Sequence, residues 1–114
     1  MASTGLNGPF LLTAESVRVI VTAKSPGAYA LGKTDAQGTF IIEKVGRSDD
    51  NVKKRLQDYA ECFSGFMFVY CSSAKPAFAK ECDLYHHFLS VKSYPHPSRP
   101  DHSYWKCPWC NIFD

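Results

Sequence analysis

The residue of this chain that most needs a chemical explanation is Glu81, in the segment "AFAKECDLYHHF". Caps and a first-turn proline predict a helix over residues 72–88. At about 100° per residue, with Phe78 at zero, Glu81 projects to about 300°, between Phe88 at about 280° and Tyr85 at about 340°. A carboxylate on this apolar face needs a cation, a metal or a water-filled pocket. It is therefore either half of a structural salt bridge or a metal-binding or acid/base group.

Arg55 is the second such residue, on a helix predicted to begin at Asp49 or Asp50 and to end near Cys62. It lies three and four residues from members of the apolar stripe of that helix, so it borders the packed face. Two interpretations follow. Arg55 is either the ion partner of Glu81 or a residue whose planar guanidinium group binds a phosphate.

A glycine and an arginine, Gly46 and Arg47, join the preceding strand to this helix. A glycine lets a ligand approach the backbone closely, and the start of a helix favours anions. Many ordinary turns also carry a glycine followed by a basic residue. Lys53 and Lys54 point away from the apolar stripe and are predicted to form a solvated face.

The elements that must hold these residues predict a small α+β domain. The pattern indicates a helix over 12–23 with Thr13 as its cap, strands over 28–32, 39–46 and 65–71, and the two helices that carry Arg55 and Glu81. The short connection between the first two strands favours antiparallel pairing. We expect a three-stranded antiparallel sheet flanked by helices in residues 25–90, after an N-terminal segment (1–24) and before a tail (91–114) packed on the same domain.

The tail is rich in Pro, His and aromatic residues and ends in "CPWC", where Cys107 and Cys110 have the spacing of a zinc knuckle. Two more ligands are required. Cys82 and His86 are the best candidates, because residues four apart on a helix share a face. The alternates are His96, His102 and, less favoured, His87. A buried Cys82, a solvated His86 and an unmetallated cysteine pair remain an open interpretation.

The same tail contains the segment "HPSRPDHSYW" over residues 96–105. Its aromatic rings could stack on bases, and Arg99 could contact a phosphate. Aromatic residues in a short tail also commonly just pack.

The bulk composition limits the possible functions. The chain has 114 residues, 45% of them hydrophobic, and a net charge of +2. This charge is too small to indicate nucleic-acid binding unless the basic residues cluster. The longest apolar run, residues 66–71, is far below the roughly 20 residues of a membrane span, and no secretory signal is visible. We therefore expect a cytoplasmic protein without a membrane partner, whose five cysteines are mostly reduced.

Four segments together resemble the GIY-YIG nuclease family. "GAY" at residues 27–29 resembles the family's first signature, and "KVG" at 44–46 resembles the second. "GRSDDNVKKRL" is similar to the family's run of glycine, basic residue, helix and arginine. "AFAKECDLYHHF" resembles its later helix with a single glutamate. The resemblance covers roughly residues 25–88, and the four pieces follow the family's order.

The resemblance implies a metal-dependent endonuclease that hydrolyses phosphodiester bonds in double-stranded or branched DNA. Tyr29 would lie near the attacking water or the scissile phosphate. Arg47 and Arg55 would contact the phosphate and stabilise its developing charge. Glu81 would hold one divalent ion, Mg²⁺ or Mn²⁺, beside the leaving oxygen. The expected DNA-binding residues are Gly46, Arg47, Arg55 and Arg99.

Lys44 stands where the family's second signature carries a tyrosine. It could act as a base if desolvation or Arg47 lowered its pKa, or it could bind phosphate as a point charge. The site could also be weak or inactive.

Two other functions therefore stay open. One is a GIY-YIG-like nucleic-acid-binding module without catalysis, with or without zinc. The other is a structural or protein-interaction domain in which Arg55 and Glu81 only form an ion pair. Selection of a DNA target would require DNA shape, a homodimer or a protein partner.

Overall fold

The chain forms an α+β fold with a four-stranded antiparallel sheet and three helices. A computed structural model describes residues 4–89, 95–100 and 103–113. The elements in chain order are β1 (Asn7–Leu11), α1 (Ala14–Ile20), β2 (Gly27–Thr34), β3 (Phe40–Ser48), α2 (Val52–Asp58), β4 (Gly65–Tyr70) and α3 (Ala74–His87). In this described part, no helix has the length and apolar character needed to cross a bilayer.

The sheet has the strand order β1-β4-β2-β3, so the prediction of three strands was wrong. The missed strand, β1, has the sequence "NGPFL" and is mostly exposed. Gly and Pro lower strand propensity, and proline is tolerated mainly at a sheet edge. Pairing with the distant β4, which places Phe10 opposite Phe66, supplies the stabilisation that the local pattern does not show.

The central strand β2 is buried on both faces along most of its length. Tyr29 and Leu31 belong to a core cluster that includes residues of α1 and α2. Ala30 belongs to a second cluster with Leu89 and with Tyr85 of α3. Because successive side chains of a strand point to opposite faces, α1 and α2 cover one face of the sheet and α3 covers the other. At the edge strand β3, which both α2 and α3 contact, side chains from the two faces can meet.

The ends of α1 agree only partly with the prediction. The Thr13 side chain accepts a hydrogen bond from the Ser16 N–H, which confirms the predicted cap. The helix ends at Ile20 rather than at residue 23. Val17 and Val21 are fully buried in the cluster of Tyr29, so the N-terminal segment packs on the same body as the sheet.

The start of α2 was predicted wrongly. Its cap is Asn51, whose side chain accepts from the Lys54 N–H, and not Asp49 or Asp50. Strand β3 continues to Ser48, whose hydroxyl accepts from the Asn51 N–H. This extension of the strand moves the helix start towards the C-terminus. The helix then ends at Asp58, short of residue 62.

Candidate functional site

A cleft of about 450 Å³ opens at the β3 edge of the sheet. All seven residues predicted to be catalytic or DNA-binding line it: Tyr29, Lys44, Gly46, Arg47, Arg55, Glu81 and Arg99. They come from β2, β3, α2, α3 and the tail. Four of them are basic, and the carboxylates of Glu81 and Asp49 also line the cleft. The cleft is therefore a cluster of basic residues on a chain whose overall charge is small.

The register of β2 and β3 explains how the side chains divide between the two faces. Tyr29 lies opposite Gly46, and Leu31 lies opposite Lys44. Directly opposed residues share a face, so Lys44 and Gly46 lie on the face covered by α2. Arg47 lies opposite Ala28 and therefore on the face covered by α3.

Arg47 is held by two carboxylates. Its Nη1 donates to Glu81 Oε1 at 2.7 Å, and its Nε donates to Asp49 Oδ1 at 2.8 Å. The guanidinium carbon lies 5.1 Å from the centre of the Phe78 ring. The side chains of Arg47 and Glu81 are only 11% and 13% exposed. The cation on the apolar face of α3 is therefore Arg47, which contradicts the interpretation of Arg55 as the ion partner of Glu81.

For both Arg47 and Glu81, burial and ion pairing shift the pKa of the side chain in opposite directions. Burial raises the pKa of Glu81, and the hydrogen bond and charge of Arg47 oppose this rise without cancelling it. Burial lowers the pKa of Arg47, but the carboxylates of Asp49 and Glu81 outweigh it and leave that pKa raised. Arg47 is therefore a permanent cation in this cleft.

Tyr29 is buried beneath the cleft and is 3% exposed. A Cβ atom at position 46 would collide with the Tyr29 hydroxyl, so Gly46 makes room for this ring rather than for a ligand against its backbone. Burial, followed by the neighbouring Tyr59 phenol, raises the pKa of Tyr29 well above its ordinary value, and the Arg55 charge only partly opposes this rise. Tyr29 is thus protonated at neutral pH.

Tyr59 is a cleft residue that the sequence reasoning missed, because it was placed in the packed stripe of α2. It follows that helix directly, is half-buried and lines the cleft. Its ring centre lies 6.0 Å from that of Tyr29, and Lys44 Nζ lies 5.7 Å from it. The available signal was its spacing of four residues from Arg55, which places both residues on one side of the helix.

Two of the N–H groups at the start of α2 are already bonded, which argues against the anion site that the sequence suggested. The N–H of Lys54 bonds the Asn51 side chain, and the N–H of Val52 bonds the Ser25 carbonyl. Lys54 itself is 73% exposed and lies 3.7 Å from Asp58, as expected for a solvated face.

Four residues form a second candidate site: His86, His96, Cys107 and Cys110, whose ligand atoms all lie within 4.8 Å of one another. Cys82 was predicted in this set, but the structure places the alternate His96 there. Cys82 is buried beside Cys107 in a cluster with Phe78. Residue 102, the other alternate, lies outside the described residues.

The distances in this His/Cys cluster suit a tetrahedral metal. Nε2 of His86 lies 3.2 Å from Nε2 of His96 and 3.4 Å from Cys107 Sγ, while Cys110 Sγ lies 3.4 Å from His96 Nε2. Zinc with bonds of about 2.0 Å to nitrogen and 2.3 Å to sulfur separates its ligand atoms by about 3.3–3.8 Å. The cluster could therefore hold a metal such as zinc.

Two outer contacts suit metal binding. His96 Nδ1 lies 2.8 Å from the Pro97 carbonyl oxygen, and an Nδ1–H that donates there leaves Nε2 as a ligand. The backbone N–H of Trp109 donates to Cys107 Sγ at 3.4 Å, which helps to hold this sulfur in place.

Comparisons with models of protein families, with curated proteins and with solved structures each gave no match. The functional argument therefore depends on the geometry of the cleft and of the His/Cys cluster.

Proposed function

We propose that this protein is a metal-dependent endonuclease that hydrolyses phosphodiester bonds in DNA. The observation that carries the proposal is the convergence of Tyr29, Arg47, Arg55 and Glu81 on one cleft, from four different elements of the fold. The resemblance to the GIY-YIG family supports it, because each of the four similar segments contributes residues that line this cleft.

The basic residues of the cleft provide the substrate site. Arg55 and Arg99 offer planar guanidinium groups, which bind phosphate oxygens through paired N–H donors. In a cleft partly shielded from water, such charges stabilise the negative charge that develops on a phosphate in the transition state.

The carboxylate of Glu81 fits the single protein ligand of a divalent ion. Mg²⁺ is commonly held by one or two carboxylates together with water and substrate phosphate oxygens. Arg47 contacts Oε1 of Glu81, and a carboxylate has a second oxygen that can accept a cation. Bound Mg²⁺ or Mn²⁺ would supply Lewis-acid neutralisation of the leaving oxygen.

Tyr29 and Lys44 have different tasks in this proposal. Because burial raises the pKa of Tyr29, its phenol donates a hydrogen bond to the attacking water or the phosphate and does not act as the base. Lys44 lines the cleft beside the Tyr59 phenol and either binds the phosphate as a cation or, in its neutral form, receives the proton. A Lys44→Arg variant separates these tasks: it keeps the charge but cannot accept a proton.

The direct test incubates the protein with plasmid, nicked and branched DNA in the presence of Mg²⁺ or Mn²⁺. We expect strand cleavage that Glu81→Gln lowers by roughly a thousandfold, since a catalytic metal supplies several kcal/mol of charge stabilisation. Asp83→Asn is the matched control, because Asp83 lies on the same helix but bonds Lys80 and His87 outside the cleft. The absence of Glu81-dependent cleavage on all three substrates would refute the proposal.

A non-catalytic DNA-binding module is the second candidate, favoured by Lys44 in place of the second tyrosine of the family. It uses the same basic cleft, so it retains DNA with an affinity that falls steeply with salt. It differs from the first candidate in producing no strand breaks with either divalent ion.

We also propose that the His/Cys cluster holds a structural zinc ion. Two histidines and two cysteines complete a tetrahedral set, so no coordination position is left for a substrate. The metal would attach the tail, which has no helix or strand in its described residues, to α3.

A further inference from the structure

The His/Cys cluster and the cleft are joined by one short segment of the tail. His96 is a member of the cluster, and Ser98, Arg99 and Pro100 line the cleft. Only two residues separate the ligand His96 from the guanidinium-bearing Arg99. A movement of His96 in the cluster would therefore also move Arg99 in the cleft, because only a short stretch of backbone joins them.

Arg99 is held by other residues of the tail rather than by the sheet. Its Nη1 donates to the Trp105 carbonyl oxygen at 2.8 Å, and its guanidinium carbon lies 4.7 Å from the centre of the Phe113 ring. Trp105 and Phe113 in turn pack against Phe78 of α3, beside the ligands Cys107 and Cys110. These contacts place Arg99 at the cleft only while the tail lies on α3.

We propose that metal binding by His86, His96, Cys107 and Cys110 presents Arg99 to the cleft as a phosphate-binding residue, so that affinity for a DNA backbone depends on bound zinc. The inference rests on the proposed function only in that the cleft binds DNA. It does not require that the DNA be cleaved.

The physical reason is the entropic cost of ordering a segment whose described residues form no helix or strand. A metal that joins His96 and Cys107 closes the loop between them and restricts the chain before DNA arrives. Without the metal, DNA binding would itself have to order Arg99, which lowers the affinity. The guanidinium has five N–H donors, and the contact with Trp105 uses Nη1, so the group can also bind a phosphate.

The test measures binding of a fluorescein-labelled 20-base-pair DNA duplex without added Mg²⁺ or Mn²⁺. Full-length wild type, Arg99→Gln and Lys106→Gln are compared in zinc-loaded form and after a chelator has stripped the zinc and been removed. Lys106 is the matched control, since it is an exposed tail cation that does not line the cleft. Circular dichroism confirms that the helices and sheet persist in each sample.

In zinc-loaded protein, Arg99→Gln should weaken binding about tenfold and reduce the log–log salt slope by about one, as for one lost phosphate contact. Stripping the wild type should weaken binding by the same factor, and stripping Arg99→Gln should add nothing. Lys106→Gln should respond to stripping as the wild type does. Cys110→Ser should reproduce the stripped state without any chelator.

Three results would overturn the inference. The first is an equal effect of Arg99→Gln with and without zinc, and the second is no effect of Arg99→Gln in the zinc-loaded protein. The third is a wild type that retains no zinc or does not bind the duplex. The failure of the nuclease proposal is a separate result: DNA binding with the expected dependence on zinc, but no Glu81-dependent cleavage.

Discussion

The cleft and the His/Cys cluster are held in place in two different ways. Most of the cleft is formed by β2, β3, α2 and α3, with Arg99 and its neighbours added from the tail, and strand register and helix packing set the positions of Tyr29, Lys44 and Arg47. The His/Cys cluster takes one ligand from α3 and three from the tail. The described residues of the tail form no helix or strand, so they lack the backbone hydrogen bonds that order such elements.

This difference shows which site needs an added ion to keep its shape. In the cleft, opposite charges are already paired, since Arg47 contacts both Glu81 and Asp49. In the His/Cys cluster, four groups that bind metals converge within 4.8 Å, and a cation would satisfy all four. The part of the cleft that the sheet and helices form should persist without metal, whereas the described tail, including Arg99, should depend on it.

The largest effect is expected from Cys110→Ser. Loss of one of four ligands should weaken zinc affinity by more than about a hundredfold, beyond the effect of losing an outer contact. Elemental analysis should show a fall from about one zinc per chain to almost none, and Trp fluorescence should report loosening around Trp105. Cys62→Ser is the control, because Cys62 is an exposed thiol outside the cluster. Full zinc retention by Cys110→Ser would contradict the assigned ligand set.

The next effect concerns the ion pair of the cleft. Arg47→Met leaves the Glu81 carboxylate, which is 13% exposed, without its nearest cation, and should lower the free energy of unfolding by about 3–5 kcal/mol. The double variant Arg47→Met/Glu81→Leu should recover most of this loss, because neither buried charge remains.

Urea denaturation measures both variants of the ion pair. Arg18→Met is the control, since the Arg18–Glu15 pair is exposed and should contribute little. If Arg47→Met were as stable as the wild type, the cleft would not depend on internal pairing, and the contrast with the His/Cys cluster would fail.

Gly46→Ala should have a smaller effect, confined to the cleft. The added methyl group collides with the Tyr29 phenol, so we expect a loss of about 1–3 kcal/mol from overpacking. Zinc content should not change. When Tyr29 is also replaced by Ala, Gly46→Ala should cause almost no further loss of stability. A double-mutant cycle measures this coupling between positions 29 and 46. Additive effects would mean that Gly46 does not serve to accommodate Tyr29.

The effect that is smallest at neutral pH is the contribution of Tyr29 to stability, which changes only in alkaline solution. Its pKa is raised above the ordinary 10.0 in the folded state, so from about pH 10 upward the unfolded chain loses this proton first. Stability should then fall with pH by up to about 1.4 kcal/mol per unit, and Tyr29→Phe should fall less steeply. Tyr104→Phe, at a residue that is 91% exposed, is the control. Equal slopes for wild type and Tyr29→Phe would contradict the burial argument.

Strong local patterns predicted much of the fold. The strands near residues 28–32, 39–46 and 65–71 correspond to β2, β3 and β4, and the helix over 72–88 corresponds to α3. The sequence failed where a distant partner decides the structure. Strand β1 depends on β4, and the start of α2 depends on the extension of β3 to Ser48.

The candidate site shows the same division. The sequence singled out Glu81 because a carboxylate on an apolar face must have a partner, but it did not identify Arg47 as that partner. It placed Tyr59 in the core because helical spacing does not show how far a packed face extends. It preferred Cys82 to His96 because only helical neighbours have a predictable separation.

The sequence by itself determined the chemistry that this protein carries: a carboxylate on the apolar face of a helix, the arginines Arg47, Arg55 and Arg99, a tyrosine before a short hairpin, and a C-x₂-C pair with histidines. Those properties depend on residue type and local spacing, which the chain specifies directly. Only the tertiary structure decided that Arg47 pairs with Glu81, that Gly46 lies against Tyr29, and that His96 joins the cysteines. Such pairings depend on strand register and on the packing of a tail whose described residues form no helix or strand, and both are set by contacts between residues far apart in the chain.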